Sequence, residues 1–529
     1  MILVRKLRLM PQENLSVLKK RAAGKLHIKP SEIKDFRLIK KSLDARHKGD
    51  IHYICSAALS CPLDEDRLIA ASGPDVSRYE EYNYHIPAFC PDVRPVVVGF
   101  GPGGMFAALI LARAGARPIV IERGLDALSR KKAVDEFRSG GRLDPECNVQ
   151  FGEGGAGTFS DGKLNTGVKD RRMSFMLEEF VKHGAPENIL YDARPHIGTD
   201  ILIDIVQNFR REIISLGGEL RFGTKLTELI TEGAELRGIR TVSAAGEDII
   251  SCRKLILAIG HSARDTFEAL HAQGVPMERK AFSMGVRIEH LQSSVDLAQY
   301  GRERGRLPAA DYSLNVHFPD GSSAYTFCMC PGGQVIAAAS EEGGICTNGM
   351  SYSGRAGENA NSALLVTLHT DDFPGEGVLA GMYWQREIEQ AAYKLSGSYM
   401  APAQLSGDFL NHRRSSGAAS VAPSYQPGVC WCDMHDFLPD KITDVLEKAI
   451  PELGKKLKGF DNPDAVLTGP EARSSSPVRI LRGKDLCSEI KGLYPCGEGA
   501  GYAGGIASAA LDGMRCAEAL MRSCSNIEY

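Results

Sequence analysis

The hydrophobic positions between residues 94 and 124 predict a strand, a glycine turn, a helix and a second strand. Residues 95–98 form an apolar, valine-rich run, which is typical of a strand buried on both faces of a parallel sheet. Residues 105–114 are rich in Ala, Leu and Met and favour a helix, and residues 118–121 predict the second strand. The rest of the chain is organised around this βαβ unit.

The turn between the first strand and the helix carries a nucleotide-binding pattern. Gly99, Gly101 and Gly104 stand in G-x-G-x-x-G register. In this motif the first glycine allows a tight turn, the second lets backbone approach a pyrophosphate, and the third lets the helix lie close to the strand. Glu122 ends the second strand and can accept the hydroxyls of an adenosine ribose. The unit predicts a dinucleotide site, with NAD and FAD both open at this point.

A second strand, glycine turn and helix lie near the end of the sequence. Residues 493–496 predict a short strand, and Gly499, Gly501 and Gly504 repeat the glycine spacing. The Ala-rich stretch that follows predicts a helix to about Leu520. Because one dinucleotide domain needs only one fingerprint, we expect a chain that leaves the nucleotide-binding fold and returns to complete it.

A third glycine-rich segment, FGEGGAGTFSDGKLNTGVKD at residues 151–170, has no strand before it and no suitable acid after it. We interpret it as a loop that wraps a phosphate or a flavin ring with its backbone N–H groups, helped by Thr158, Ser160 and Lys163. A flexible surface loop is the alternative interpretation of this segment.

These features together resemble the glutathione-reductase-like superfamily of FAD enzymes. The segments FGEGGAGTFSDGKL, ARPHIGTD, FCMCPGG and ARSSSPVRI look like those of the FAD-dependent dehydrogenase family described as NAD(FAD)-utilising. The resemblance implies FAD as cofactor and hydride transfer at the flavin, with NADH or NADPH as a transient electron donor, but it supplies no substrate. The sequence lacks a second complete nucleotide fingerprint and a C-x-x-C or C-x4-C pair near the flavin, which argues against a disulfide reductase.

The resemblance also implies roles for individual segments. The first glycine turn would hold the ADP part of FAD, and the late Gly497-Glu498 motif would hold the ribityl chain and phosphate. The helix that follows would face the N1–O2 edge of the flavin, where negative charge develops on reduction. With the glycine-rich loop and the strand end near residue 260, the predicted FAD-binding residues are Gly99, Gly101, Pro102, Gly103, Gly104, Met105, Glu122, Arg123, Gly154, Gly155, Gly157, Thr158, Ser160, Lys163, Leu226, Ala258, Gly260, His261, Gly497, Glu498, Gly504, Gly505 and Ile506.

Changes of pattern along the chain predict three domains. Residues 1–90 form a small N-terminal α+β module, residues 93–282 plus 431–529 a discontinuous FAD-binding domain, and residues 283–430 an inserted β-rich substrate domain. The expected fold class is therefore α/β, with a Rossmann-like FAD-binding domain of the glutathione-reductase type.

Several helices can be placed from their periodicity. Thr199 is the predicted N-cap of a helix that runs to about Leu216. Residues 382–395 and 441–457 predict two more helices in the second half of the chain.

The N-terminal module is predicted as a strand at residues 2–10, a helix at 13–26 and a strand pair at 35–43 and 50–58. Residues 1–60 carry 14 Lys and Arg against 5 Asp and Glu. Such an excess is more often a solvated basic face than a surface for RNA or another acidic partner. An RNA-modifying flavoenzyme, or a flavin-bound sensor or scaffold, therefore remains an alternative function.

Arginines are the only candidate substrate-binding residues, and no catalytic acid or base stands out. A guanidinium near a flavin could orient a carboxylate substrate, whereas binding the cofactor or pairing with surface acids is the alternative. The candidates are Arg413, Arg414, Arg473 and Arg479.

Two C-x-C pairs are the candidates for metal or redox chemistry. On a strand, each pair would place both sulfurs on one face, and with His435 the pairs could hold zinc. The pairs are a hundred residues apart, so packed or surface cysteines are the favoured interpretation and we predict no metal site. The four residues are Cys328, Cys330, Cys430 and Cys432.

Composition narrows the class of protein. The chain of 529 residues is 43% hydrophobic and 24% charged with a net charge of −3, which argues against a nucleic-acid or membrane-surface protein as a whole. Fourteen scattered cysteines, no signal-peptide pattern and no apolar run long enough to span a bilayer predict a cytoplasmic protein. The expected partner of an FAD-dependent oxidoreductase is a small-molecule substrate. The pattern predicts no particular oligomeric state.

Overall fold

The computed structural model describes residues 1–524, apart from the side chains at positions 303, 304 and 306. The first part of the chain is an antiparallel sheet with helices packed on it. Its elements are β1 (Ile2–Leu9), α1 (Val17–Leu26), β2 (Phe36–Asp44), β3 (His52–Leu59), α2 (Glu65–Ala71) and β4 (Val76–Arg78). The strand order is β2-β3-β1-β4, and Leu18, Ala22 and Leu26 of α1 are buried with the inner face of the sheet.

The predicted β-α-β-β order of this module is confirmed. The helix begins at Val17 rather than at residue 13 because Glu13 takes part in a turn, where its carboxylate accepts a hydrogen bond from the backbone N–H of Met10.

The edge strand β2 joins the module to the next part of the chain. The N–H of Lys41 donates to the carbonyl of Tyr191 at 2.7 Å, and the N–H of Ala193 donates to the carbonyl of Lys41 at 2.9 Å. The Lys41 ammonium lies 3.1 Å from the carboxylate of Asp192. Residues 191–193 therefore continue this sheet as a short parallel bridge.

The second part of the chain begins with the predicted βαβ unit. Its elements are β5 (Val96–Val98), α3 (Pro102–Arg113), β6 (Ile119–Ile121), α4 (Ala127–Arg138), α5 (Arg172–Lys182), α6 (Thr199–Ser215), β7 (Glu219–Arg221), β8 (Lys225–Glu232), β9 (Glu235–Ser243), β10 (Gly246–Ser251), β11 (Leu255–Leu257) and α7 (Arg264–Ala272). The prediction that Thr199 caps α6 is wrong. Gly198 occupies the cap position, and the Thr199 hydroxyl instead donates to the carbonyl of Thr158 in the glycine-rich loop at 2.6 Å.

The middle part of the chain contains a large sheet, which is antiparallel except for the edge pair β19–β20, together with helices and shorter strands. Its elements are β12 (Met277–Arg279), β13 (Phe282–Leu291), α8 (Gln292–Tyr300), β14 (Asn315–His317), β15 (Ser323–Cys330), β16 (Gln334–Ala337), β17 (Thr347–Met350), β18 (Asn359–Leu368), α9 (Ala380–Ser396), β19 (Ala401–Leu405), α10 (Ser406–Phe409), β20 (Val429–Trp431), α11 (Asp440–Lys456) and β21 (Val466–Glu471). The helices predicted at 382–395 and 441–457 are confirmed as α9 and α11.

Seven of these strands form one sheet in the order β14-β15-β18-β13-β21-β19-β20. The apolar side of α11, with Ile442, Leu446 and Ile450, is buried in the same cluster as β13 and β18. The sheet includes β21, which lies beyond residue 430, the predicted end of the inserted domain. The domain boundaries drawn from the sequence stay predictions.

The last part of the chain returns to the first nucleotide-type unit. Its elements are β22 (Val478–Ile480), β23 (Leu493–Pro495) and α12 (Ile506–Arg522). A five-stranded sheet has the order β23-β11-β5-β6-β7, and each of its neighbouring pairs is parallel. The parallel sheet expected for an α/β fold is thereby confirmed.

The two helices that follow the glycine turns, α3 and α12, touch each other through glycines. A Cβ atom placed on Gly513 would lie 2.0 Å from the carbonyl oxygen of Gly103, a distance that real Cβ atoms do not adopt. Bare backbone at this crossing therefore lets α3 and α12 approach closely. Among residues 1–524, no helix combines the length and the apolar character needed to cross a bilayer.

We expect Gly104→Ala to lower the free energy of unfolding by about 3 kcal/mol, because the added Cβ would lie 1.9 Å from the carbonyl oxygen of Gly99. Gly24→Ala is the matched control, since this exposed glycine of α1 has open space around its Cβ position. The control should be neutral or stabilising by up to about 1 kcal/mol. Urea denaturation of both variants measures the difference, and equal stabilities would contradict the close α3–β5 contact.

Candidate functional site

A large cavity lies at the carboxyl ends of the parallel strands, where α/β sheets bind their ligands. It encloses about 1590 Å³ of space, including its mouth. Its walls include residues that directly follow four strands: Gly99 after β5, Glu122 after β6, Ala258 after β11 and Cys496 after β23. The turn after β5 and the turn after β23 therefore meet at one site.

Most of the residues predicted to bind FAD line this cavity. They are Gly99, Gly101, Pro102, Gly103, Glu122, Arg123, Gly155, Gly157, Ser160, Lys163, Leu226, Ala258, Gly260, His261, Gly497, Glu498, Gly504, Gly505 and Ile506. The remaining four, Gly104, Met105, Gly154 and Thr158, are buried and are not among the lining residues. The cavity wall unites these segments, and the assignment of each residue to FAD stays a prediction.

Two helices present their N-termini to the cavity. Pro102 opens α3 and Ile506 opens α12, and both residues line the wall. The N–H groups of a first helical turn have no partner within the helix, and the helix dipole places partial positive charge there. Both ends are therefore suited to hold phosphate oxygens or another electron-rich group.

Glu122 joins the first glycine turn to the glycine-rich loop. Its buried carboxylate accepts backbone N–H bonds from Phe100 at 2.8 Å, from Gly124 at 2.9 Å and from Gly152 at 2.9 Å. This side chain therefore organises the cavity wall through the backbone, a role that the strand–glycine–acid pattern does not indicate. Its expected contact with a ribose stays a prediction.

The glycine-rich loop is anchored by a residue that sequence reasoning missed. The guanidinium of Arg130 in α4 is fully buried and donates to the carbonyl oxygens of Asn148 at 2.9 Å, Val149 at 2.8 Å and Glu153 at 2.7 Å. Burial lowers the pKa of Arg130 to about 10, and these carbonyls offset its desolvation. Residues 151–164 of this loop are buried or half-buried, unlike a surface loop, whereas most of residues 165–170 are exposed.

A buried ion cluster forms part of the opposite wall. The Arg473 guanidinium lies 2.6 and 2.8 Å from the carboxylate oxygens of Glu389, which also pairs with Arg264 at 2.9 Å. Although burial acts in the other direction, the two arginines lower the pKa of Glu389 to about 2. Arg473 lines the cavity, but its charge is balanced by Glu389 together with Glu341, whose carboxylate lies 3.7 Å away.

The other three predicted substrate arginines are absent from the cavity wall, as far as residues 1–524 describe it. Arg413 pairs with Asp408, and Arg414 donates to the carbonyl of Trp431. Arg479 pairs with Glu278. The structure thus brings one of the four arginines, Arg473, to the site.

Glu471, which sequence reasoning missed, is the acidic group that faces the cavity from the large sheet. One of its carboxylate oxygens lies 3.3 Å from a guanidinium nitrogen of Arg287, and the other, Oε2, is buried with no hydrogen-bond partner among the described residues. Burial raises the pKa of Glu471. Its position as the one charged side chain of the otherwise uncharged strand VLTGPE was the signal that could have identified it.

The charge of Arg287 is supported from several sides. Its guanidinium donates to the side-chain oxygen of Asn361 at 2.8 and 3.1 Å and to the carbonyl of Cys328 at 3.0 Å. The pKa of Arg287 is raised, because Glu471 and neighbouring groups outweigh its desolvation. Arg287 is therefore held by Asn361 and the carbonyl of Cys328 as well as by Glu471.

The cysteines near the site are thiols. Cys328 and Cys330 line the cavity, and burial raises the pKa of the Cys330 thiol. All cysteines of the described part of the chain are free. The side-chain groups of residues 1–524 that could hold a metal ion include neither C-x-C pair.

His261, in the turn after β11, lies beside the acidic residue Glu498 at the cavity wall. His261 Nδ1 lies 3.4 Å from a carboxylate oxygen of Glu498, and its Nε2 is buried without a hydrogen-bond partner in the described structure. The residues after β11 and after β23 thus meet at the cavity wall.

Two family models and several known proteins match parts or most of the chain. Residues 281–474 match the family model "FAD-dependent protein, C-terminal domain-like", and residues 1–60 match a domain of unknown function, DUF8436. A protein of Clostridium beijerinckii, described as uncharacterized, is 47% identical over 515 residues and covers 96% of both chains. Aklavinone 12-hydroxylase DnrF of Streptomyces peucetius is 30% identical over 186 residues, which are 32% of this chain and 36% of that protein.

Solved structures of flavoproteins are also similar to this chain. The flavin-dependent brominase Bmp2 is 14% identical, with a TM-score of 0.37 and coverage of 82% of this chain and 80% of that one. The glycerol-3-phosphate dehydrogenase of Bacillus halodurans complexed with FAD is 11% identical, with a TM-score of 0.35 and coverage of 82% and 65%.

We expect Gly504→Val to lower the affinity for FAD, because the added side chain would project into the cavity. A Cβ at Gly504 has nothing within 4 Å, so the substitution creates no clash within the chain and should leave the melting temperature of the apoprotein unchanged. Gly417→Val, also with open space and outside the cavity wall, is the control and should retain full flavin. Flavin content and FAD titration of the apoproteins measure the effect, and equal affinities would argue against occupation of this part of the cavity.

Proposed function

We propose that this chain, which belongs to the same family as its Clostridium beijerinckii relative, is an FAD-dependent oxidoreductase that acts on a small molecule by hydride transfer at the flavin. The observation that carries the proposal is the convergence of both glycine turns, after β5 and after β23, on one cavity. The match of residues 281–474 to an FAD-dependent protein domain supports the same cofactor.

The residues of the cavity fit FAD. Open space lies where Cβ atoms of Gly260, Gly504 and Gly505 would stand, so backbone can approach a bulky ligand at these positions. The N-termini of α3 and α12 suit the pyrophosphate and the electron-rich edge of the flavin. FAD bound here would supply hydride chemistry at its N5 atom.

The wall contributed by the large sheet supplies the substrate side of the cavity. Phe327 of β15 and Glu471 of β21 line it, next to Asn348 of β17 and to Arg473, which follows β21. We assign Glu471 to proton transfer, because its unpartnered Oε2 belongs to a carboxyl group that lines the cavity. Burial raises the pKa of this carboxyl group, which favours its acid form. When a substrate is reduced, hydride would come from the flavin and the proton from Glu471, while NADH or NADPH would reload the flavin.

The absorption spectrum of the purified protein and its anaerobic titration with NADH and NADPH test the proposed function. We expect a flavin spectrum that bleaches with one of the two donors, and reoxidation when a suitable acceptor is added. A panel of quinones, dyes and small carbonyl compounds then identifies the acceptor class. A protein that neither carries FAD nor takes it up on reconstitution would refute the proposal.

We expect Glu471→Gln to lower kcat by about 10²–10⁴-fold with the best acceptor, while flavin content is retained. Because the acid form donates the proton, kcat of the native protein should fall as pH rises through the raised pKa of Glu471, and the variant should lose this limb. Glu278→Gln, at a half-exposed carboxylate that pairs with Arg479 away from the cavity wall, is the control. An unchanged pH profile in Glu471→Gln would contradict this role.

A further inference from the structure

Three metal-ligating side chains converge outside the cavity wall, on the helix side of the large sheet. His412 follows α10, His435 lies in a short 3₁₀ turn at Met434–Asp436, and Glu447 lies in the middle of α11. One nitrogen or oxygen atom from each lies within 4.8 Å of the others. His435 Nε2 is 2.7 Å and His412 Nε2 is 3.2 Å from the same carboxylate oxygen of Glu447.

The ring of His435 is held in orientation by its neighbours. Its Nδ1 hydrogen-bonds to the carboxylate of Asp433 at 2.6 Å, so the other nitrogen, Nε2, points at Glu447. The ring stacks on Phe409 on one side and on His412 on the other, with centroids 4.8 and 4.5 Å apart. A carboxylate on the far nitrogen is the arrangement that fixes the tautomer and direction of histidines that bind metals.

The backbone of His412 is in an uncommon conformation. Its φ of +49° lies in the left-handed region, which is unfavourable for non-glycine residues. This conformation accompanies the stacking on His435 and the approach of Nε2 to Glu447, while 63% of the side chain stays exposed. An exposed ligand gives a metal ion a route to the site.

We propose that His412 Nε2, His435 Nε2 and a Glu447 carboxylate oxygen bind one divalent transition-metal ion, with Asp433 as the positioning residue. Two imidazoles and one carboxylate suit zinc, iron or nickel, whereas Mg²⁺ and Ca²⁺ require oxygen ligands. Three protein ligands leave coordination positions for water or an anion, as in metal sites that exchange ligands.

This site differs from the one considered from the sequence. His435 was a candidate only together with the two C-x-C pairs, and no metal site was predicted. The structure instead pairs His435 with His412 and Glu447, residues whose spacing along the chain follows no short motif. The inference is independent of the flavin chemistry, because none of these residues lines the cavity.

Zn²⁺ alone, added to the metal-stripped holoprotein, is the probe for this site. Isothermal titration and metal analysis after dialysis should show about one more bound Zn²⁺ in the native chain than in His412→Ala or Glu447→Gln. Asp433→Asn should keep the ion but weaken its binding about 10–100-fold. His317→Ala removes an exposed histidine from β14, outside the cluster, and should bind as the native chain does.

Co²⁺ provides a second readout that distinguishes a metal site from a hydrogen-bonded cluster. We expect visible d–d bands in the native chain and in His317→Ala, and their loss in His412→Ala. Unchanged melting temperature and flavin content in His412→Ala, a substitution at an exposed side chain, would show that this variant is folded. Equal Zn²⁺ stoichiometry in native chain and His412→Ala, or displacement of Zn²⁺ by equimolar Mg²⁺, would overturn the proposal.

Discussion

The crossing of α3 and α12 is the contact on which the cavity depends. These helices come from opposite ends of the nucleotide-type fold, and they meet where Gly513 leaves room for the carbonyl of Gly103. The strands that precede them, β5 and β23, are both paired with β11, so the two glycine turns are fixed side by side. A bulkier residue at the crossing would separate the turns and widen the cavity between them.

Buried charged side chains lie near the cavity and in the seven-stranded sheet. Glu389 is shared by two arginines, Arg287 is shared between an amide, a carbonyl and Glu471, and Arg130 is bound by carbonyls alone. Buried ions of this kind add little net stability, because their desolvation cancels much of the attraction. They do restrict geometry, since removing one partner leaves an unpaired charge in a low-dielectric interior. We infer that Glu389, which pairs with Arg264 at the start of α7 and with Arg473 after β21, fixes the large sheet relative to the parallel sheet.

Sequence reasoning placed well the elements that are determined by residues close together in the chain. The unit β5–α3–β6 and the late unit β23–α12 follow from apolar runs and glycine spacing, and most of their predicted cofactor residues line the cavity. The arginines show the limit of such rules. The basic stretch at Arg413 and Arg414 indicates positive charge but not where the side chains point. Arg413 pairs with Asp408 and Arg414 donates to the carbonyl of Trp431, away from the cavity wall.

Residues that act through tertiary contacts left little or no local signal. Glu471 is one carboxylate in a buried strand, and only the position of β21 turns it toward the cavity. His412, His435 and Glu447 come from three separate elements that the fold brings together. Thr199 is a residue type that normally caps a helix, yet the nearby carbonyl of Thr158 receives its hydroxyl instead.

The pairing of β2 with residues 191–193 has a mechanical consequence. That segment leads directly into α6, whose first residue, Thr199, bonds to the glycine-rich loop at Thr158. The basic N-terminal sheet is therefore coupled to the cavity wall through a short, hydrogen-bonded length of chain. Removal of the sheet would leave the carbonyl of Tyr191 and the N–H of Ala193 without their partner Lys41, a few residues before the start of α6.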